Sequence, residues 1–246
     1  MIQLHFQSLG STQTYLIENL SNLVSKDRDV LVSTDRQTDG IGRSGAQWID
    51  FKNNLALSFT LYPTDPITLT SLECAVLISK FFQLQWKIDL NVKWPNDLMN
   101  SKQEKCGGII LHNSNNIIIC GVGINLDAKK HETEKVERDS SKPAIGSLLN
   151  EDLSSDLNKK EISNNIYEFI LNNRLSKEEI MNSWSKRCHH LNQFVRIYDN
   201  PTRFVVGYFR GIGSLGEALV ETSPGKIEKI YSGSLVINEK NLLQNH

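Results

Sequence analysis

Along residues 55–62 apolar and small or polar side chains alternate: Leu55, Leu57, Phe59 and Leu61 against Ala56, Ser58, Thr60 and Tyr62. A period of two predicts a β-strand. Upstream, after an early segment with turn residues, Val30-Leu31-Val32 is a short apolar run suited to a buried strand. Between the two lies a stretch from Gln37 to Asn54 with three glycines and little apolar periodicity. A loop that long inside a compact domain is usually functional or mobile. Leu72 to Leu84 is apolar on a wide face and free of Gly and Pro, which predicts a largely buried helix. Val92 to Trp94 predicts a strand stopped by Pro95. Residues 108–111 and 117–120 predict two strands joined by the turn-rich His112-Asn113-Ser114-Asn115. Residues 127–143 are charged and polar and read as an exposed loop. Ile162, Ile166, Phe169 and Ile170 then repeat at helical spacing. Ser176, with Glu179 three residues on, fits a capping box opening a helix that carries Ile180, Trp184 and Cys188 inward.

Near Leu191 the pattern shifts to short β-rich pieces (195–198, 204–206, 218–220 and 235–237) separated by Gly, Pro and Asn turns. This predicts a small β-barrel as a second domain. The plan is α+β: a catalytic-sized domain of mixed strands and helices over 1–190, and a small all-β domain over 191–246.

Composition narrows the function classes. The 246 residues are 39% apolar and 22% charged, ordinary for a globular protein. A formal net charge of −1 leaves no electrostatic footprint for nucleic acid or an anionic membrane. No apolar run approaches the roughly 20 residues of a membrane span, and Met1 to Gly10 lacks the features of a signal peptide. Cys74, Cys106, Cys120 and Cys188 are scattered with no C-x-x-C pair. That argues against a zinc site or a disulfide framework and points to the cytoplasm.

Three segments carry candidate chemistry. Gln37-Thr38-Asp39-Gly40-Ile41-Gly42-Arg43-Ser44-Gly45-Ala46-Gln47-Trp48 contains G-x-G-x-x-G after a strand. No helix period follows, so the dinucleotide fingerprint is half missing. What remains is a donor-rich loop carrying one cation, able to wrap an anion. Val92-Lys93-Trp94-Pro95-Asn96-Asp97-Leu98 presents a cation, an amide and a carboxylate at a proline turn. Asn reads a base or ribose edge, and Asp holds Mg²⁺ through oxygen; a solvated turn is the bland alternative. Lys105-Cys106-Gly107-Gly108 and Gly121-Val122-Gly123-Ile124-Asn125 place glycine pairs at opposite ends of a hairpin, where backbone N–H groups can approach a ligand. Lys105 beside one pair can meet a phosphate as a point charge.

Q-T-D-G-I-G-R-S-G-A-Q-W, N-L-A-L-S, K-W-P-N-D-L, K-x-G-G-I and G-V-G-I-N-L occur in the order and at about the spacings of the biotin–protein ligase family, which the chain resembles from Ser11-Thr12-Gln13 to the terminal β-rich segment. The resemblance implies a mixed sheet flanked by helices, followed by an SH3-like barrel. It implies that ATP, with Mg²⁺, activates biotin as biotinyl-AMP, and that biotin passes to a lysine of a biotin carboxyl carrier domain. Ser11, Thr12 and Gln37 match residues that hydrogen-bond the fused-ring head of biotin. Gln13, Ile41, Gly42 and Gly107 fall within the implied biotin-binding set. Lys105 matches the lysine near the biotin carboxylate and the reacting phosphate, and Arg43 the loop arginine that holds the adenylate phosphate. These two are the implied catalytic cations. Trp48 matches the tryptophan that packs near the adenine; Lys93, Asn96, Asp97 and Asn125 line the implied nucleotide pocket. Which protein residues hold a metal is left open by the resemblance.

The family loop usually reads G-R-G-R-x-G-R, but Ile41 and Ala46 replace its first and last arginines here. Many bacterial members also carry a DNA-binding helix-turn-helix before the catalytic motif. With Ser11 opening that motif, no such domain and no nucleic-acid partner are expected. The resemblance favours a homodimer. A lipoate or octanoate ligase of the same fold, and a non-catalytic biotin-binding relative, are the competing readings.

Overall fold

The computed structural model describes residues 1–25, 27–48, 51, 53–127, 143–149, 157–200 and 202–237. Seven strands form one sheet: β1 (Ile2–Phe6), β2 (Val30–Thr34), β3 (Asn53–Leu61), β4 (Asn91–Lys93), β5 (Asp97–Met99), β6 (Lys105–Ser114) and β7 (Ile117–Asp127). Their order is β1-β2-β3-β7-β6-β5-β4. β1 and β2 run parallel and the other neighbours antiparallel, so the sheet is mixed as expected.

Helices cover both faces. Helix α1 (Thr12–Val24) lays Leu16, Leu20 and Leu23 on Val30, Val32 and Ile119. On the other face, α2 (Thr70–Trp86), α3 (Lys159–Asn172) and α4 (Lys177–Arg187) share a core with Leu31, Leu55, Leu57 and Phe59. The alternation in β3 therefore holds, but Ala56, Ser58 and Thr60 are buried too, because the α1 side of the sheet is also covered. The Ser176–Glu179 capping box is present: Ser176 Oγ accepts from the Glu179 N–H, and the Glu179 carboxylate accepts from the Ser176 N–H at 2.8 Å.

Three expectations need correction. The β6–β7 turn is Asn115-Asn116, both at positive φ (49° and 64°), and not His112 to Asn115. Two left-handed residues are what a tight two-residue hairpin demands, and Asn tolerates that region. Secondly, Ile67–Trp86, made of a short 3-10 turn running into α2, is long and apolar enough to cross a membrane. Glu73 and Lys80 interrupt its apolar pattern along the chain. It packs against α3, α4 and the sheet as a core helix. Thirdly, the early segment is not only turn-like: it supplies β1 and α1. The exposed loop expected over 127–143 falls, from 128 to 142, outside the described residues.

The C-terminal strands β8 (Phe194–Asn200), β9 (Arg203–Ile212), β10 (Ala218–Ser223), β11 (Lys226–Ile230) and β12 (Ser234–Ile237) form an antiparallel sheet ordered β11-β10-β9-β8-β12. Register shifts in β9–β10 and β10–β11 bend it into a barrel-like shape. Among the described residues the end strands β11 and β12 do not pair, so the barrel is not closed. This sheet docks at the β4 edge of the first. Trp94, 1% exposed, donates its indole N–H to the Gly216 carbonyl at 3.0 Å. Val195, Phe209, Val220 and Leu235 join the core beneath α2 and α4.

Candidate active site

A cavity of about 450 Å³ opens on the α1 face of the sheet, where small residues keep the floor low. One row of paired residues crosses five strands there: Ala56, Gly123, Gly108, Asp97 and Lys93. The next row places Ser58 beside Gly121, with Ile110 beyond. The glycines matter sterically. A Cβ on Gly123 would lie 2.8 Å from the Trp48 ring, and one on Gly121 would lie 2.5 Å from Gln13 Oε1.

The loop after β2 folds over this floor as a small internally bonded turn. Ile41 bridges Gln47, the Gly42 N–H donates to the Ala46 carbonyl, and the Trp48 N–H donates to the Gly40 carbonyl. The bond pattern returns Trp48 to the sheet, where its ring lies over Gly108 and Gly123. Its indole N–H is buried without a hydrogen-bond partner. Arg43 projects the other way. Its guanidinium donates to the Gly233 carbonyl of the C-terminal sheet and to Asn96 Oδ1 at 3.5 Å.

One end of the cavity is built for neutral polar groups. The N-terminus of α1 is capped by Ser11, whose Oγ accepts from the Thr14 N–H at 3.3 Å. Thr12 directs its N–H (3.0 Å) and its hydroxyl (3.3 Å) at Gln37 Oε1. Gln13 donates from Nε2 to the Ile119 carbonyl at 3.2 Å, and its Oε1 is buried with no partner. Isolated buried acceptors are costly, and such a group beside a cavity invites a ligand donor.

The other end is cationic. Asp97 Oδ1 lies 2.5 Å from Lys105 Nζ, and its Oδ2 lies 3.3 Å from Lys93 Nζ. Burial pushes the Asp97 carboxyl up, but the two ammonium groups outweigh it and hold the pKa below the usual range. Burial lowers the Lys93 ammonium; Asp97 opposes this, while Lys105 and Arg43 add to it. Burial also lowers Arg43, against Asp97. Three cations face one carboxylate, so an anion is the complementary guest. Each Asp97 carboxylate oxygen is thus engaged by an ammonium group, and among the described residues no group of three or more His, Cys, Asp or Glu side chains is placed to hold a metal ion. Asn125 donates to the Gly146 carbonyl at 3.0 Å and keeps a buried, unpartnered Oδ1.

Of the residues singled out in the sequence, Ser11, Thr12, Gln13, Gln37, Ile41, Gly42 and Arg43 line this one cavity. So do Trp48, Lys93, Asn96, Asp97, Lys105 and Asn125. Gly107 does not. Strand alternation turns it to the opposite face, against Leu98 and Ile124, and Gly108 faces the cavity instead. Sequence reading missed Phe51 and the pair Ser234 and Leu235 from the C-terminal sheet, and it gave Ser58, the last residue of N-L-A-L-S, no role. The serine carried a signal, since it stands in the polar set of β3; Ser234 and Leu235 reach the site only through tertiary docking.

Residues 5–128 match the model of the biotin/lipoate A/B protein ligase family. The bifunctional ligase/repressor BirA of Bacillus subtilis is 24% identical over 242 residues, covering 92% of this chain and 71% of BirA. The structure of biotin protein ligase from Aquifex aeolicus in complex with biotin and ATP superposes with a TM-score of 0.73 at 23% identity, covering 96% of this chain and 98% of that one. Biotin acetyl coenzyme A carboxylase synthetase from Helicobacter pylori gives 0.68 at 24% identity, covering 92% and 98%. The fold is the one these enzymes share.

Proposed function

The chain belongs to the biotin/lipoate A/B protein ligase family, and from that premise we propose that it is a biotin–protein ligase. It uses ATP, supplied with Mg²⁺ as part of that substrate, to convert biotin to biotinyl-5′-AMP. It then transfers biotin to a lysine of a biotin carboxyl carrier domain. The observation that carries the reading is the two-ended cavity. Neutral hydrogen-bonding groups around Thr12, Gln13 and Gln37 suit a ureido head, and the Lys93, Lys105 and Arg43 cluster suits a carboxylate meeting a phosphate. The solved Aquifex relative, described in complex with biotin and ATP, supports it.

In the first step a biotin carboxylate oxygen attacks the α-phosphorus of ATP and the bond to pyrophosphate breaks. In the second, the neutral amine of the acceptor lysine attacks the acyl carbon and AMP departs. Neither step needs a covalent enzyme nucleophile. Lys105 and Arg43 stabilise charge on the phosphate, and positioning supplies the rest. The loop carrying Trp48 covers the floor and keeps water from the anhydride. Residues 1–190 form the ligase domain and 191–246 a C-terminal domain that closes one wall with Ser234 and Leu235. The same reading puts the protein in the cytoplasm, a compartment that its four free, buried cysteines suit, and the family resemblance alone favours a homodimer.

Pyrophosphate release measured with each acid tests this. Release with biotin and not with lipoate or octanoate is expected; the reverse preference makes the chain a lipoate-type ligase. Biotin binding without release with any of the acids makes it a non-catalytic relative.

A further inference from the structure

The polar end of the cavity holds a group that the motifs leave unassigned. Ser58, in the middle of β3, is 0% exposed, lines the cavity, and its Oγ lies 2.9 Å from Thr12 Oγ1. Its cross-strand partner is Gly121, whose missing side chain gives Gln13 its place.

The direction of these hydrogen bonds follows from counting protons. Thr12 aims both its N–H and its hydroxyl at one oxygen, Gln37 Oε1. The Gln37 amide is thereby fixed with its carbonyl toward Thr12 and its NH₂ away, against Gly40. Once the Thr12 proton goes to Gln37, the Ser58–Thr12 bond has to be donated by Ser58. Run in this direction, two hydroxyl protons make two bonds; run in reverse, from Thr12 to Ser58, they make one within the chain. The Gln13 amide is fixed as well, by its bond to the Ile119 carbonyl.

We propose that Ser58 is a specificity-determining residue of the acid-binding site. By donating to Thr12 it sets the polarity of the chain Ser58→Thr12→Gln37. Its own lone pairs are then left to accept, beside the Gly121 position that Gln13 Oε1 occupies, which makes a pair of acceptors. That wall accepts two N–H groups, the pattern that a neutral cyclic urea supplies. A dithiolane ring or a plain acyl chain has no N–H to give, and would leave these acceptors unpaired. The proposal rests on the biotin reading above and names the group that enforces it.

The test uses the full-length protein with Ser58→Ala and the near-isosteric Ser58→Cys. Biotin and its two mono-N-methyl ureido derivatives are the acids, and initial rates of pyrophosphate release are the readout. For Ser58→Ala the KM for biotin should rise about tenfold, the scale of one hydrogen bond to a buried group. The kcat and the KM for ATP should stay within about twofold, since nothing at the phosphate end has changed. Ser58→Cys should fall between wild type and Ser58→Ala, and it carries the test if the alanine variant does not fold. Methylating one ureido nitrogen should cost wild type at least tenfold and Ser58→Ala much less, because the acceptor facing that nitrogen is gone. An unchanged KM in the variants, or an equal methylation cost in wild type and Ser58→Ala, overturns the role of Ser58 alone. Wild type that releases no pyrophosphate with biotin overturns the biotin reading and this proposal together.

Discussion

The indole of Trp48 rests on the bare backbone of Gly123, so closely that a methyl group there would sit 2.8 Å from Cε2 and Cζ2. Gly123→Ala is therefore expected to lift the ring off the sheet. Overpacking costs about 1–3 kcal/mol, and 1.4 kcal/mol is about tenfold in an equilibrium constant. The KM for ATP should rise by about that factor, while biotin affinity changes less than about threefold. Equal losses for both ligands would show that the ring serves the acid end instead.

Lys105 shares its carboxylate partner with Lys93, so removing it leaves Asp97 paired and still buried. The expected result for Lys105→Ala is a loss of about a hundredfold in the adenylation rate, the usual scale of one lost electrostatic contact in a transition state. Biotin binding should weaken far less. Calorimetry beside single-turnover kinetics separates the two, and matching losses would make the lysine a ground-state binding group.

Arg43 is the single guanidinium of the glycine loop, and it is already bonded to the Gly233 carbonyl. Ile41, 38% exposed at the cavity, stands where relatives carry another arginine. We expect the adenylate to be held loosely, and Ile41→Arg to slow its release by about tenfold, since a charge-assisted hydrogen bond contributes roughly 1.5–3 kcal/mol. Ala46→Arg should do less. Dissociation rates of biotinyl-AMP measure this. An Ile41→Arg rate equal to wild type, with Arg43→Ala much faster, would mean that the loop has already compensated.

Acid stability should depend on Glu73. This 1% exposed carboxylate accepts from Arg174 Nε (2.9 Å), from the Thr64 hydroxyl and from the Leu175 N–H. Burial raises its pKa, but those partners outweigh burial and hold it below 4.5. A depressed carboxylate contributes stability that is fully present above its unfolded pKa and is lost as pH falls through the folded one. Wild-type Tm should thus decline below about pH 4.5. Glu73→Gln should be less stable at pH 7, by roughly 1–3 kcal/mol, and should show a flatter acid limb. Parallel Tm–pH curves would assign the acid sensitivity to other carboxylates.

Local rules were legible where local chemistry decides the outcome. Ser176 and Glu179 announce their helix because both halves of the capping box lie within four residues. Helix α1 was hidden because Ser11-Thr12-Gln13 reads as a polar turn until Leu16, Leu20 and Leu23 are seen to share a face. β5 is three residues long behind the proline turn, and β11 is K-I-E-K-I on an exposed edge, so neither carries enough apolar periodicity to stand out. The glycine loop and the proline turn reach the cavity, as do Gly108, Gly121 and Gly123 of the two glycine pairs, since their chemistry is written in contiguous residues. Gly107 against Gly108 could not be decided without strand register. Ser58 needed its hydroxyl partner, 46 residues away, to be recognised.

The continuity of the core between the two sheets has a consequence for how the molecule melts. Phe209, Val220 and Leu235 pack into the same cluster as Leu77 and Trp184. Trp94 and Arg43 each spend a polar hydrogen on a backbone oxygen beyond residue 210. A polypeptide cut at residue 190 would expose that apolar surface and remove those two acceptors, one of them at the phosphate end of the cavity. The smallest autonomous folding unit then includes both sheets. A scanning calorimeter should record a single endotherm, with the C-terminal strands surrendering their order at the same temperature as the seven that carry the site.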